Sequence, residues 1–279
     1  MFKSKKMKNY LLLFVFLLSI NFVFSQKEND PKHEYHYKTV AEKESDIYSL
    51  KITDAHSQQT FTQFRIHLKN KSSNYLILRV NEISFIYDFG ELHPKTKEFL
   101  INPGETFNKI IKASDASQNL HVKSLKIKIS GIYKLSAEGN VIKMPDFQLP
   151  ASKNYIESGN VSCKLNNISK ETQQTVAQFK CTYKGNNYLI INPLKANAKI
   201  ETGKEFAPVN RKTKTKMLTK NKKKKFSLYY EIQAKIIDMQ FATFNIVWHD
   251  TFRESIPEKL DDTNITFEFD EAKTKAKNN

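Results

Sequence analysis

The stretch Gln58-Gln59-Thr60-Phe61-Thr62-Gln63-Phe64 returns 115 residues later as Gln173-Gln174-Thr175-Val176-Ala177-Gln178-Phe179. A second match, Asn74-Tyr75-Leu76-Ile77 with Asn187-Tyr188-Leu189-Ile190, follows in the same order at an offset of 113. Two collinear matches at nearly one spacing predict an internal duplication, and a repeat of this length is one domain copied. Each match runs into period-two alternation, the pattern of a half-buried strand. Phe64, Ile66 and Leu68 share one face in the first copy; Phe179, Cys181 and Tyr183 share it in the second. The phase agrees, as it must where a one-residue slip turns the buried side to water. Shorter runs precede both: Tyr48, Leu50 and Ile52 answer to Val161, Cys163 and Leu165.

Further alternation places strands at Leu125, Ile127, Ile129 and Tyr133, at Phe226, Leu228, Tyr230 and Ile232, and at Phe244, Ile246, Trp248 and Phe252. Ile265, Phe267 and Phe269 make the last strand of the second copy. Turn residues separate them at 69–74, 102–105, 138–140 and 184–187, and no helix is expected after residue 25. Many short strands with regular turns predict an all-β chain of two tandem antiparallel β-sandwiches.

Both ends are distinctive. Lys3, Lys5, Lys6 and Lys8 precede an apolar stretch from Leu11 to Val23, and Val23-Phe24-Ser25 offers a small-residue cut site. This is the pattern of a secretory signal peptide. About 13 apolar residues fall short of a membrane span, so an uncleaved anchor is the lesser reading. Removing residues 1–25 takes four lysines and lowers the net charge from +16 to +12. Beyond them no apolar stretch is long enough for a transmembrane segment. The boundaries expected are a signal peptide over 1–25, a flexible lead-in over 26–44, a first sandwich over 45–144, a linker over 145–159, a second sandwich over 160–270 and a disordered basic tail over 271–279.

The order of strand, Asn/Ser turn, strand and Pro-Gly-Glu turn (Pro103-Gly104-Glu105) resembles that of Ig-like bacterial surface and periplasmic domains. The Phe24-Ser25-Gln26 junction is similar to export signals of Bacteroidota. The resemblance implies a sandwich fold and a place in the periplasm or at the cell surface, and names no ligand.

Cys163 and Cys181 fall on the inward faces of neighbouring strands, where the first copy has Leu50 and Ile66. Antiparallel neighbours bring such side chains within bridging distance, and export preserves the bond, so a disulfide is favoured over two packed thiols. Between Arg211 and Lys225, nine of fifteen residues are basic: Arg211, Lys212, Lys214, Lys216, Lys220, Lys222, Lys223, Lys224 and Lys225. The run aligns with the turn at 102–105 and is expected as an exposed loop. It is either an anion-binding footprint or a solvated tip that guards strand edges with lysine. Few aromatic residues interleave it, so nucleic acid is not expected as a partner. An anionic glycan, a lipid head group or an envelope protein is.

His33 and His36, with Glu34 between, are too few ligands for zinc, and no metal or cofactor is expected. His249-Asp250 beside Trp248 reads as a strand-end turn, and no nucleophile with a partnered base is definable. Tyr87, Phe89, Tyr229 and Tyr230 belong to the core before any sugar-stacking surface. The expectation is therefore an exported, non-enzymatic binding, adhesion or scaffold protein of the cell envelope. A structural subunit of an envelope complex is the alternative, and a hydrolase with a loop-built site the remotest.

Overall fold

The computed structural model describes residues 30–38, 40–209 and 213–278. The signal peptide expected over 1–25, and Arg211 and Lys212, lie outside the described residues. The first strands are β1 (Tyr35–His36), β2 (Val40–Glu44), β3 (Tyr48–Gln58), β4 (Phe61–Asn70), β5 (Tyr75–Arg79), β6 (Ile83–Tyr87), β7 (Gly90–Leu92), β8 (Glu98–Ile101), β9 (Thr106–Ser114), β10 (Ser124–Ile129) and β11 (Ile132–Leu135). Then come β12 (Asn140–Val141), β13 (Phe147–Leu149), β14 (Tyr155–Ser158), β15 (Val161–Lys170), β16 (Gln174–Tyr183), β17 (Tyr188–Ile191) and β18 (Asn197–Ile200). The remainder are β19 (Glu205–Phe206), β20 (Lys216–Leu218), β21 (Lys223–Glu231), β22 (Phe244–Val247), β23 (Phe252–Ser255), β24 (Pro257–Lys259), β25 (Thr263–Glu268) and a helix α1 (Glu271–Asn278).

The chain is all-β, and its sheets are antiparallel. One half is built from the sheets β1-β3-β4-β9 (with β2 also on β3), β25-β10-β6-β7 and β24-β11-β5-β8. The other half has β14-β15-β16-β21, β13-β22-β18-β19 and β12-β23-β17-β20. The alternation does what it must: Phe64, Ile66 and Leu68 of β4 and Phe179, Cys181 and Tyr183 of β16 are buried. Each set faces its own hydrophobic core.

Two of the alternating runs do not remain in one sheet. The run from Leu125 to Tyr133 divides into β10 and β11, which lie in different sheets. Gly131 marks the switch: its carbonyl accepts from Arg79 N at 2.8 Å, and a Cβ there would collide with the Arg79 carbonyl oxygen. Only glycine permits so close an approach. The run through Phe244 and Phe252 divides likewise into β22 and β23.

The two halves exchange strands. The Ile265, Phe267 and Phe269 strand, expected to close the second sandwich, pairs instead with β10, with Phe267 opposite Leu125 and Ile265 opposite Ile127. Ile265 and Phe267 are buried in the first core, where Phe267 meets the ring of Phe64 at 6.4 Å. In return β13 pairs with β22 in the second half. Between these, β11–β12 and β23–β24 run past each other as a two-stranded ribbon, β24 on β11 and β12 on β23. Ser255 donates to the Ser136 carbonyl at 2.7 Å where they cross. Gly139 lies there too, against Glu254 and Ser255, with no room for a Cβ. The physical reason for the difference is that alternation specifies which side of a strand is buried, while partner choice depends on where the ribbon carries the chain.

Three other expectations change. The lead-in contains β1 and β2, which pair with β3. The linker contains β13 and β14, which pair in the second half. The basic tail is helical from Glu271, because Asp270 caps it: its carboxylate accepts from Lys273 N at 2.9 Å. The helix is tied to the N-terminal strand, with His36 N donating to Thr274 Oγ1 at 3.0 Å and Glu34 N to Asn278 Oδ1 at 2.9 Å.

The halves also meet through a small apolar cluster of Ile77, Leu135, Tyr188 and Ile190. Beside it, Arg79 bridges both halves, donating to Tyr188 Oη at 2.6 Å and pairing with Glu82 and Glu98 at 3.0 Å each. Burial opposes its charge, but bonds from Tyr188 and Glu82 outweigh it and hold the guanidinium well above its usual range. Ile77 and Ile190 occupy matching places in the duplicated Asn-Tyr-Leu-Ile sequences, so that repeated element forms part of the contact.

Candidate anion-binding surface

Much of the basic run is strand rather than loop. Lys216 belongs to β20, Lys223, Lys224 and Lys225 to β21, and a turn through Lys220, Asn221 and Lys222 joins them. Asn221 supplies the left-handed residue of that turn at φ +61°, a conformation asparagine tolerates better than most residues. The ordering cause is pairing: Lys225, Lys224 and Lys223 stand opposite Lys180, Cys181 and Thr182 of β16.

This register builds a row that the sequence did not display. Lys164 of β15 lies opposite Lys180, and Lys180 opposite Lys225, so three lysines line up across three adjacent strands. Tyr155, exposed on β14, continues the row opposite Lys164. Like charges directly opposite on one sheet face repel. Among the described residues none of Lys164, Lys180, Lys223, Lys224 or Lys225 is in an ion pair, nor are Lys214, Lys216, Lys220 and Lys222. Lys220 is held by Asn186 Oδ1 at 2.8 Å. Burial, and then the charges of Lys214 and Lys224, lower the Lys216 pKa. Crowded cations without ion-pair partners make a positive field that an anion relieves.

Cys163 and Cys181 are joined by a disulfide between directly opposed positions of β15 and β16. The bond ties the strands that carry Lys164 and Lys180, so the row has a fixed backbone. In the first half Leu50 and Ile66, expected in the places of the two cysteines, are both buried but stand opposite Leu68 and Ile52 and not opposite each other.

The remaining candidates fall into structural places. His33 Nδ1 lies 3.1 Å from His121 Nε2, while His36 Nε2 lies 2.9 Å from Glu34 Oε2. Among the described residues no group of three metal-ligating side chains gathers. His249 contacts Glu205 at 2.6 Å and Asp250 pairs with Arg253 at 2.7 Å, which anchors the turn after Trp248. Tyr87 and Tyr230 are buried; Phe89 is half-exposed and stacks on Tyr87 at 5.0 Å. A cavity of about 330 Å³ opens between the halves, lined in part by Tyr75, Glu138, Lys195, Asp250 and Arg253. Its arginine is already engaged by Asp250 and the Gly139 carbonyl. No histidine or cysteine lines it.

No family model and no curated protein matches the chain. Among solved structures it is similar to the Amycolatopsis orientalis exo-chitosanase CsxA at 12% identity and a TM-score of 0.27, covering 68% of this chain and 25% of that one. Red sea bream transglutaminase gives 8% identity and 0.21, covering 68% of this chain and 28% of that one. A conserved domain protein from Bacillus anthracis gives 9% identity and 0.24, covering 86% and 93%. The chain spans about a quarter of the exo-chitosanase, and likenesses this distant carry no functional argument.

Proposed function

We propose that the protein is a non-enzymatic binding or scaffold module of the cell envelope. It acts after export and holds anionic glycan or lipid head groups on the basic face of its second half. The observation that carries this reading is the row Lys164–Lys180–Lys225, joined on the same sheet face by Lys223 and, among the described residues, without ion-pair partners. The N-terminal Lys-rich, apolar, small-residue pattern supports export, and the two matched sets of sheets support a duplicated Ig-like module as its frame. Recognition needs no moving part, because the disulfide and a four-stranded sheet fix the charges in advance. Screening shortens the reach of such a field to about 8 Å at physiological salt, so contact is close and salt-sensitive. The test is a Lys164→Ser/Lys180→Ser/Lys225→Ser variant on heparin and lipid A matrices. It should elute at clearly lower salt than the parent, and equal retention defeats the proposal.

A further inference from the structure

In both halves the outermost strand of the long sheet, β9 in one and β21 in the other, has a free side. In the second half the chain itself covers that side: Val209 N donates to the Tyr229 carbonyl of β21 at 2.7 Å, beside a buried Pro208. Thr213 Oγ1 in turn donates to the Val209 carbonyl at 3.1 Å. The segment responsible connects β19 to β20 and is nine residues long, 207–215. In the first half the equivalent connection between β7 and β8 is only residues 93–97. Among the described residues no backbone group reaches the outer side of β9. A groove of about 410 Å³ remains between that connection and the strand.

Val80, Phe99 and Ile110 contribute its apolar surface, and Ile110 is 51% exposed. Lys95, Lys97, Lys109 and Lys112 line it, and among the described residues no acidic one does and none of the four lysines is in an ion pair. Lys112 rests over the Phe61 ring at 3.6 Å. Glu98 is engaged away from the groove by Arg79 and Tyr188, and Glu91 lies 3.9 Å from His93 at the groove's margin.

We propose that the β9 edge is a docking site for an extended acidic segment of a partner protein, added as a further strand. Two separate observations select this occupant. In the second half a backbone N–H of the chain itself bonds the corresponding edge, and the groove's own charge calls for carboxylates. Main-chain bonds to the edge give affinity, while alternate side chains meet the aliphatic floor and the lysines. Without an occupant, a nine-residue edge bearing a half-exposed isoleucine is a liability that lysines alone only blunt. This site is independent of the basic face in the second half.

The experiment uses the full mature chain and a labelled nine-residue peptide alternating glutamate and valine, followed by fluorescence anisotropy. The peptide should bind. Methylating its alternate amide nitrogens should weaken binding at least tenfold, as should Lys95→Ser/Lys109→Ser, whose two side chains are exposed and leave the fold intact. Hydrogen exchange should slow in 106–114 on binding. Replacing Lys222–Lys225 by serine should change nothing, which separates this site from the basic face. The proposal is overturned if the acidic peptide does not bind, if the methylated peptide binds equally well, or if protection appears elsewhere. A lysine–valine peptide of equal affinity overturns it. So does a dimer joined through this edge, or phosphatidylglycerol vesicles displacing the peptide.

Discussion

Replacing Phe267 by alanine tests the exchange of strands between the halves. Phe267 is 1% exposed, lies opposite Leu125 in β10, and touches the rings of Phe64 and Tyr37 at centroid distances of 6.4 and 6.1 Å. Phe64 and Tyr37 are themselves buried, so the site has little freedom to collapse around the void. Removing a buried phenylalanine from such a site costs about 4 kcal/mol. That energy is lost from the first half, although the residue lies near the end of the chain. At tenfold per 1.4 kcal/mol, amides that exchange only when this half opens should exchange on the order of a thousandfold faster. Hydrogen exchange by mass spectrometry reads the answer from peptides. Those covering 83–87 and 124–129 should lose protection, while those covering 174–183 keep most of theirs. Trp248, the single tryptophan, is buried in the second core and gives an independent signal. Its fluorescence in buffer should remain that of the parent. If 174–183 and 223–231 lose protection while 83–87 does not, the strand belongs to the second half and the exchanged topology is wrong.

Three further outcomes are expected. The disulfide closes a sequence separation of 18 residues, so its reduction should cost the second half about 3 kcal/mol by the chain-entropy relation; the Trp248 unfolding midpoint in urea measures it, and two thiols titratable in the unreduced, unfolded protein would contradict it. Burial pushes the Tyr87 phenol up to about 12, partly offset by its hydrogen bond to Thr62. The folded pKa is raised, so the stabilisation is complete below pH 10 and lost as pH rises towards 12. Two units correspond to about 3 kcal/mol. Tyr37 shifts in the same direction, so Tyr87→Phe should reduce, without abolishing, the fall in stability between pH 9 and 12; equal pH slopes for variant and parent would remove the effect. Replacing Arg79 by methionine leaves Glu98 and Tyr188 without their cation and should cost about 2 kcal/mol. The loss should appear in denaturant as a separation of the two halves' transitions, and coincident transitions of unchanged midpoint would refute the bridge.

The residues that alternation placed inward at Phe64, Ile66 and Leu68, and at Phe179, Cys181 and Tyr183, are inward. That information is local: in an extended chain successive side chains point to opposite sides, so the pattern of apolar residues specifies the buried face. The all-β class followed from it, as did the inward placement of Cys163 and Cys181. Pairing between strands far apart in sequence was not legible. Ile265 and Phe267 alternate as well for one core as for the other, and only the crossing ribbon, with glycine at 139, carries them to β10. The lysine row shows the same division. Lys180 was readable as outward, but its alignment with Lys164 and Lys225 depends on the register of three strands. The helix at 271–278 carries a local signal in its Asp270 cap, but the contacts that hold so short a helix, from Glu34 and His36, come from more than 230 residues away. Sequence alone determined which faces of this chain avoid water, because that choice is made within a few residues. Tertiary structure decided which faces meet and which charges become neighbours, because those contacts exist only once the whole chain has closed.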